Sequence, residues 1–204
     1  MAGIYIHIPF CRKACTYCNF HFSTNLKTRP ELLKALGAEL RARREELGGE
    51  EIKTLYFGGG TPSLLAPSEI AELCKIVTDN YPTQHIGEIT IEANPDDIHP
   101  TYLQELYDAT PVNRISLGIQ SFVEADLKFM NRAHSAEEAA KSLELLTRFG
   151  HFALSVDLIY GSPHLSDEAW ADNLKRVLET GIPHLSCYAL TVEEKTALAY
   201  QISQ

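Results

Sequence analysis

Cys11, Cys15 and Cys18 lie in one short run, Cys11-Arg12-Lys13-Ala14-Cys15-Thr16-Tyr17-Cys18. A Cys-x3-Cys-x2-Cys spacing lets a single loop wrap a compact metal centre and turn three thiolates toward it. Soft thiolates of this kind are the usual ligands of iron–sulfur clusters, commonly four to a cluster. Three leave one iron open to a substrate or cofactor. The rival readings are three unrelated loop cysteines, or a zinc site completed by His7 or His21. Zinc loops usually bring their ligands in separated pairs, so the iron–sulfur reading is preferred.

The elements that must position this loop are legible as six β-branched or aromatic runs: Ile4–Ile8, Ile52–Phe57, Glu88–Ala93, Arg114–Ile119, Ala153–Tyr160 and His184–Leu190. Amphipathic stretches near Pro30–Leu47, Pro67–Asn80, Pro100–Asp108, Ser135–Phe149 and Ser166–Thr180 separate them. Ser135 with Glu138 reads as a capping box, and Gly150 and Gly181 sit where C-terminal glycines belong. Strict strand–helix alternation implies right-handed crossovers and a parallel sheet. The fold class is α/β. Six units are too few for a closed eight-stranded barrel of about 250 residues, which leaves an open partial barrel or a doubly wound sheet. In either, ligands collect at the carboxyl ends of the strands. The polar and glycine-rich clusters fall there: Cys11–Cys18, Gly58-Gly59-Gly60, Glu92 and Gln120, with Asp157 inside the fifth strand.

Composition excludes several classes. The 204 residues are 45% hydrophobic and 22% charged, typical of a globular chain. No apolar run approaches the roughly 20 residues of a membrane span. A net charge of −9 argues against a broad nucleic-acid surface. Five cysteines, three of them clustered, fit a reducing compartment better than a disulfide framework, so a cytoplasmic location is expected. The final stretch, Thr191–Gln204, carries helix formers but no convincing sixth helix.

With its aromatic Tyr17 before the last cysteine, the loop resembles that of the radical S-adenosylmethionine superfamily. The resemblance implies a six-unit partial barrel, an open (β/α)6 fold. It also implies a 4Fe-4S cluster whose open iron is chelated by the amino and carboxylate groups of S-adenosylmethionine. An electron from the reduced cluster then cleaves the sulfonium to a 5′-deoxyadenosyl radical.

Further stretches narrow the likeness. Tyr5-Ile6-His7-Ile8-Pro9-Phe10-Cys11, Tyr56-Phe57-Gly58-Gly59-Gly60-Thr61-Pro62-Ser63 and Ile91-Glu92-Ala93-Asn94-Pro95 recur in order. Gly118-Ile119-Gln120-Ser121-Phe122, Asn131-Arg132-Ala133-His134 and Val156-Asp157-Leu158-Ile159-Tyr160-Gly161 follow. Together they are similar to the group containing oxygen-independent coproporphyrinogen III dehydrogenase and the heme chaperones. By that resemblance, Gly59 and Gly60 line the amino-group end of S-adenosylmethionine, with Thr61 adding a polar contact. Glu92, Gln120, Arg132 and Asp157 face the same cofactor, Tyr5 packs beside the cluster and Tyr17 beside the adenine. Glycines at 58–60 would also let backbone amides approach a ligand closely. Asp157, in an apolar strand, needs a polar partner.

Cys74 and Cys187 read as buried small hydrophobes. His7 reads equally as a cluster contact or a hydrogen-bonded core residue, and His151, His164 and His184 receive no chemistry. Two departures from the group stand out. Asn19-Phe20 follows Cys18 where the dehydrogenase carries a further cysteine, and Gly161-Ser162-Pro163-His164-Leu165 replaces the more usual Gly-Leu-Pro-Gly-Gln. Phe20 tilts the likeness toward the heme-chaperone branch. There heme is the cargo and a respiratory hemoprotein the acceptor. The alternative is radical decarboxylation of the porphyrinogen. Residues 1–204 are read as one core domain, with the family's C-terminal domain expected to lie outside them.

Overall fold

A computed structural model describes residues 2–203; Met1 and Gln204, the ends of the expected domain, lie outside the described residues. Six parallel strands stand in strict chain order in one open sheet: β1 (Ala2–Ile8), β2 (Ile52–Gly59), β3 (Glu88–Ala93), β4 (Arg114–Gln120), β5 (Ala153–Tyr160) and β6 (His184–Ala189). Strands β1 and β6 form the two open edges. The helices are α1 (Arg29–Ala42), α2 (Pro67–Asn80), α3 (Pro100–Ala109), α4 (Glu124–Phe129), α5 (Ala136–Phe149), α6 (Asp167–Leu178) and α7 (Ala197–Ile202). Each βα unit delivers the next strand beside the last, which is the partial-barrel arrangement.

Alternation along the strands separates two faces. One face carries Ile6, Ile8, Leu55, Phe57, Ile89, Ile91, Ile115, Leu117, Val156 and Leu158, all buried against Ile70, Leu73 and Val77 of α2, Leu103 and Leu106 of α3, and Leu143 and Leu146 of α5. The other face is polar and cross-linked strand to strand. Tyr56 donates to Glu92 at 2.8 Å, Arg114 to Thr90 at 3.3 Å and to Ser155 at 2.9 Å, and Ser155 to Ser116 at 2.9 Å. Apolar packing therefore holds the sheet from outside and leaves its concave side free for polar chemistry.

Helix ends follow the sequence. Ser135 accepts from the Glu138 amide at 3.2 Å while Glu138 accepts from the Ser135 amide at 2.7 Å, and Gly150 closes α5 with φ 70°. Helix α1 stops at Ala42, short of the expected Leu47. Beyond Ala42 the chain reads Arg43-Arg44-Glu45-Glu46, which has no apolar face to dock, and Gly48 and Gly49 take φ 58° and 81°. Helices α4 and α7 leave no signal in the sequence pattern; at six residues each they are too short for periodicity to register. Strands β2 and β4 run on to Gly59 and Gln120, past the expected ends. Cys187 is exposed, contrary to the expectation, because β6 is an open edge; Cys74 is buried on α2.

Candidate active site

A cavity of about 430 Å³ lies at the carboxyl ends of the strands. Cys11, Cys15, Cys18, Tyr17, Gly59, Gly60, Thr61, Glu92, Gln120, Arg132 and Asp157 all line it. Tyr5 does not. It lies lower on the concave face, 56% exposed, stacked on Tyr56 with ring centroids 5.9 Å apart and donating to His7 Nδ1 at 3.2 Å. The ring of His7 turns its Nε2 to the His21 carbonyl at 3.0 Å. Among the described residues no three His, Cys, Asp or Glu side chains converge on a single ion. A cluster makes no such demand, because each thiolate binds a different iron.

The cysteine loop is fixed from several sides. At its start the Cys11 amide donates to the Ser23 carbonyl at 3.1 Å. Arg12 donates to Asp97 at 2.5 Å and lies 3.3 Å from Asp96, while Ser63 donates to Asp97 at 2.6 Å. Asp97 is 4% exposed, so the loop is anchored to an interior carboxylate that is itself held on both oxygens. At the other end the Thr16 amide donates to the Met130 carbonyl at 3.1 Å and the Thr16 hydroxyl to the Phe129 carbonyl at 3.1 Å. Asn131 adopts φ 54°, a conformation Asn tolerates, and its amide donates to the Ala14 carbonyl at 2.7 Å. The Leu198 amide of α7 donates to the Thr16 carbonyl at 2.8 Å. Beneath the loop, Tyr17 packs on Leu127, Met130 and Ile159.

The glycine triplet also serves the protein's own packing. Two of its amides and the one that follows are used within the protein: Gly59 donates to Glu92 at 3.0 Å, Gly60 to the Ile8 carbonyl at 2.9 Å, and Thr61 to the Phe10 carbonyl at 2.7 Å. A Cβ at Gly60 would stand 2.7–2.8 Å from the backbone of Ile8 and Phe10, and Gly59 has φ 109°. The glycines are needed so that β2 can lie against the chain entering the cysteine loop. Gly59 and Gly60 also line the cavity, so their backbone borders any ligand held there.

Polar partners fill the remaining wall. Asp157 accepts from Ser116 at 3.2 Å and from Ser186, which supplies the partner its strand required. Burial raises the carboxyl groups of Glu92 and Asp157 above their ordinary values, against their hydrogen bonds. Burial likewise pushes up the Cys11 and Cys18 thiols. Arg132 is not at the surface. Its Nη2 donates to Asn94 at 2.7 Å and to the Gly118 carbonyl at 2.8 Å, and its Nη1 reaches Cys15 Sγ at 3.5 Å and Tyr17 Oη at 3.4 Å. Burial disfavours its charge, yet Tyr17 and Cys15 hold the guanidinium ionised. Its Nε is buried and has no hydrogen-bond partner among the described residues. Gln120 ends β4 at a register shift with φ 67°, a strained backbone in a wall residue. Three soft donors, a guanidinium, a glycine-lined wall and two carboxylates around one cavity fit a cluster with an amino-acid-bearing cofactor.

Arg12, Asn94, Asp97 and Asn131 were not singled out from the sequence. Asn94 and Asn131 sit in the motifs Ile91–Pro95 and Asn131–His134, but their side-chain partners lie 33 or more residues away in the chain.

The profile of the Radical SAM superfamily matches residues 5–183. The chain is 35% identical over 204 residues to a heme chaperone HemW of Mycobacterium tuberculosis, covering 98% of this chain and 52% of that one. It is 34% identical to mouse radical S-adenosyl methionine domain-containing protein 1, mitochondrial, covering 100% of this chain and 46% of that one. The solved structure of Escherichia coli coproporphyrinogen III oxidase (HemN), a radical SAM enzyme, superposes with TM-score 0.85 at 31% identity, over 98% of this chain and 46% of that chain. The chain thus spans about half the length of the relatives it matches. No helix among the described residues is long and apolar enough to cross a membrane. The cysteine loop, the parallel six-stranded partial barrel and the polar cavity at its carboxyl end are those of the radical S-adenosylmethionine superfamily, to which this chain belongs.

Proposed function

We propose that this chain is the core of a heme chaperone of the HemW type, acting in a reducing compartment, the cytoplasm. The observation that carries the reading is Phe20. It stands two positions after Cys18, 67% exposed, and lines the cavity that holds the three cysteines. An apolar ring there replaces the extra thiol of the decarboxylating branch and offers a flat surface to a macrocycle. The 35% identity to a protein named a heme chaperone supports it. An acceptor hemoprotein completes the role.

Family membership implies a 4Fe-4S cluster and S-adenosylmethionine. Cys11, Cys15 and Cys18 would hold the cluster. The carbonyls of Gly59 and Gly60 would receive the ammonium of the cofactor, with Thr61 beside them. Arg132 would face its carboxylate, Glu92, Gln120 and Asp157 would bind its hydroxyls, and Tyr17 would flank the adenine. Tyr5, stacked on the Glu92 partner Tyr56, would support this wall from below. When loaded, the cluster supplies one electron to the bound sulfonium.

The second reading is oxygen-independent decarboxylation of coproporphyrinogen III, favoured by the 0.85 TM-score to the oxidase structure. Heme titration of the full-length protein, followed in the Soret region, separates the two. The chaperone reading expects saturable binding that weakens in Phe20→Ala, with no protoporphyrinogen formed anaerobically by the reconstituted protein. Absence of heme binding, with porphyrinogen turnover, would reverse the assignment.

A further inference from the structure

Asn94 has no place in the cofactor contacts described above, yet it lies at their centre. It occupies the N-cap position of the short turn Pro95–Asp97, where an Asn side chain ordinarily caps the amides that follow, and it makes no such bond. Its amide instead faces the cysteines. Nδ2 donates to Thr61 Oγ1 at 3.1 Å, and Oδ1 accepts from Arg132 Nη2 at 2.7 Å. Beyond these partners lie two sulfurs: Thr61 Oγ1 is 3.6 Å from Cys11 Sγ, and Arg132 Nη1 is 3.5 Å from Cys15 Sγ.

The geometry fixes which way each donor points. With Nδ2 of Asn94 occupying a lone pair of the Thr61 oxygen, the hydroxyl hydrogen is left to Cys11. With Nη2 held between Asn94 and the Gly118 carbonyl, the planar guanidinium turns Nη1 to Cys15. One side chain therefore orients a donor on each of two ligand sulfurs. Hydrogen bonds to ligand sulfurs help set the potential of an iron–sulfur cluster, because the reduced cluster carries more negative charge.

We propose that Asn94 is a positioning residue that aims the Thr61 hydroxyl at Cys11 and the Arg132 guanidinium at Cys15, and so raises the reduction potential of the cluster. The proposal rests on the cluster reading of the three cysteines. It is tested on anaerobically reconstituted full-length protein, without S-adenosylmethionine, by an EPR-monitored redox titration. Thr61→Val removes the hydroxyl and keeps the shape; Thr61→Ser restores it; Asn94→Leu removes both arms. Thr61→Val is expected to lower the ratio of reduced to oxidised cluster at the wild-type midpoint about tenfold, a negative shift of about 59 mV for one electron. Asn94→Leu should shift at least as far, and Thr61→Ser should match wild type. Full iron content with a wild-type midpoint in both Thr61→Val and Asn94→Leu would overturn the proposal. Should Asn94→Leu not fold, the Val and Ser pair at Thr61 decides it. A wild-type protein that takes up no iron and sulfide overturns the cluster reading, and this inference with it.

Discussion

Gly60→Ala tests whether the glycine triplet serves the approach of β2 to the cysteine loop. The new Cβ would lie 2.7 Å from the Phe10 carbonyl oxygen and 2.8 Å from both the Ile8 carbonyl oxygen and the Phe10 amide nitrogen. Ordinary contact begins near 3.4 Å, so β2 and the incoming chain must part by about 0.7 Å. All three neighbours are backbone, and no side chain can swing away. The same displacement stretches the bonds from Gly60 to Ile8, now 2.9 Å, and from Thr61 to Phe10, now 2.7 Å, toward or past the hydrogen-bonding limit. Overpacking of this kind costs about 1–3 kcal/mol, and two weakened hydrogen bonds about 1 kcal/mol more. A destabilisation of about 3 kcal/mol is expected in urea unfolding, with reduced iron after anaerobic reconstitution because Phe10 adjoins Cys11. Gly87→Ala is the control, since its Cβ would meet nothing within 4 Å. If Gly60→Ala matches Gly87→Ala in stability and iron content, the close approach is not what the glycine is for.

Two further outcomes follow from buried polar groups near the loop. His134 donates Nε2 to the Ile119 carbonyl at 3.0 Å, and its Nδ1 is buried without a partner. Burial, aided by Arg132 and opposed by Glu124 and Glu138, lowers its pKa from 6.5 to about 4. A base whose folded pKa is depressed stabilises the fold above its unfolded pKa and loses that contribution as pH falls. Between pH 6.5 and about 4 the loss approaches about 3 kcal/mol. Urea midpoints across that window should therefore fall less steeply in His134→Gln; equal slopes would refute the assignment. Arg12→Met leaves the buried Asp97 with Ser63 but without its cation, an expected loss of about 2 kcal/mol given the half-exposed arginine. Chelator-driven iron release should quicken in the same variant, and an unchanged release rate would show that Arg12 does not anchor the loop.

Much of the scaffold is legible in the sequence because its elements are locally determined. The β-branched alternation of Ile89 and Ile91, and the Pro67 start of α2, need no tertiary context to be read. The site is legible in its chemical types: the cysteines, Glu92 and Asp157 announce themselves by kind and by place on the strands, whereas Arg132, between α4 and α5, is reached only through the family resemblance. What stays hidden is everything set by contacts between distant segments. Asn94 reaches Thr61 and Arg132, Arg12 reaches Asp97, and Leu198 clamps Thr16. The glycine triplet is visible, but whether it faces a ligand or a neighbouring backbone depends on how closely β1 and β2 run together. Cys187 is misread for a similar reason: its strand looks like the others, and only the sheet order reveals that β6 is an edge strand.

The central claim is that Cys11, Cys15 and Cys18 hold one iron–sulfur cluster in this cavity. Iron and acid-labile sulfide, counted per chain after anaerobic reconstitution of wild type and Cys15→Ala, test it most directly. The expected result is about four of each in wild type, with loss of the cluster chromophore in Cys15→Ala. One zinc and no sulfide in wild type, or a full complement of iron and sulfide in Cys15→Ala, would contradict it.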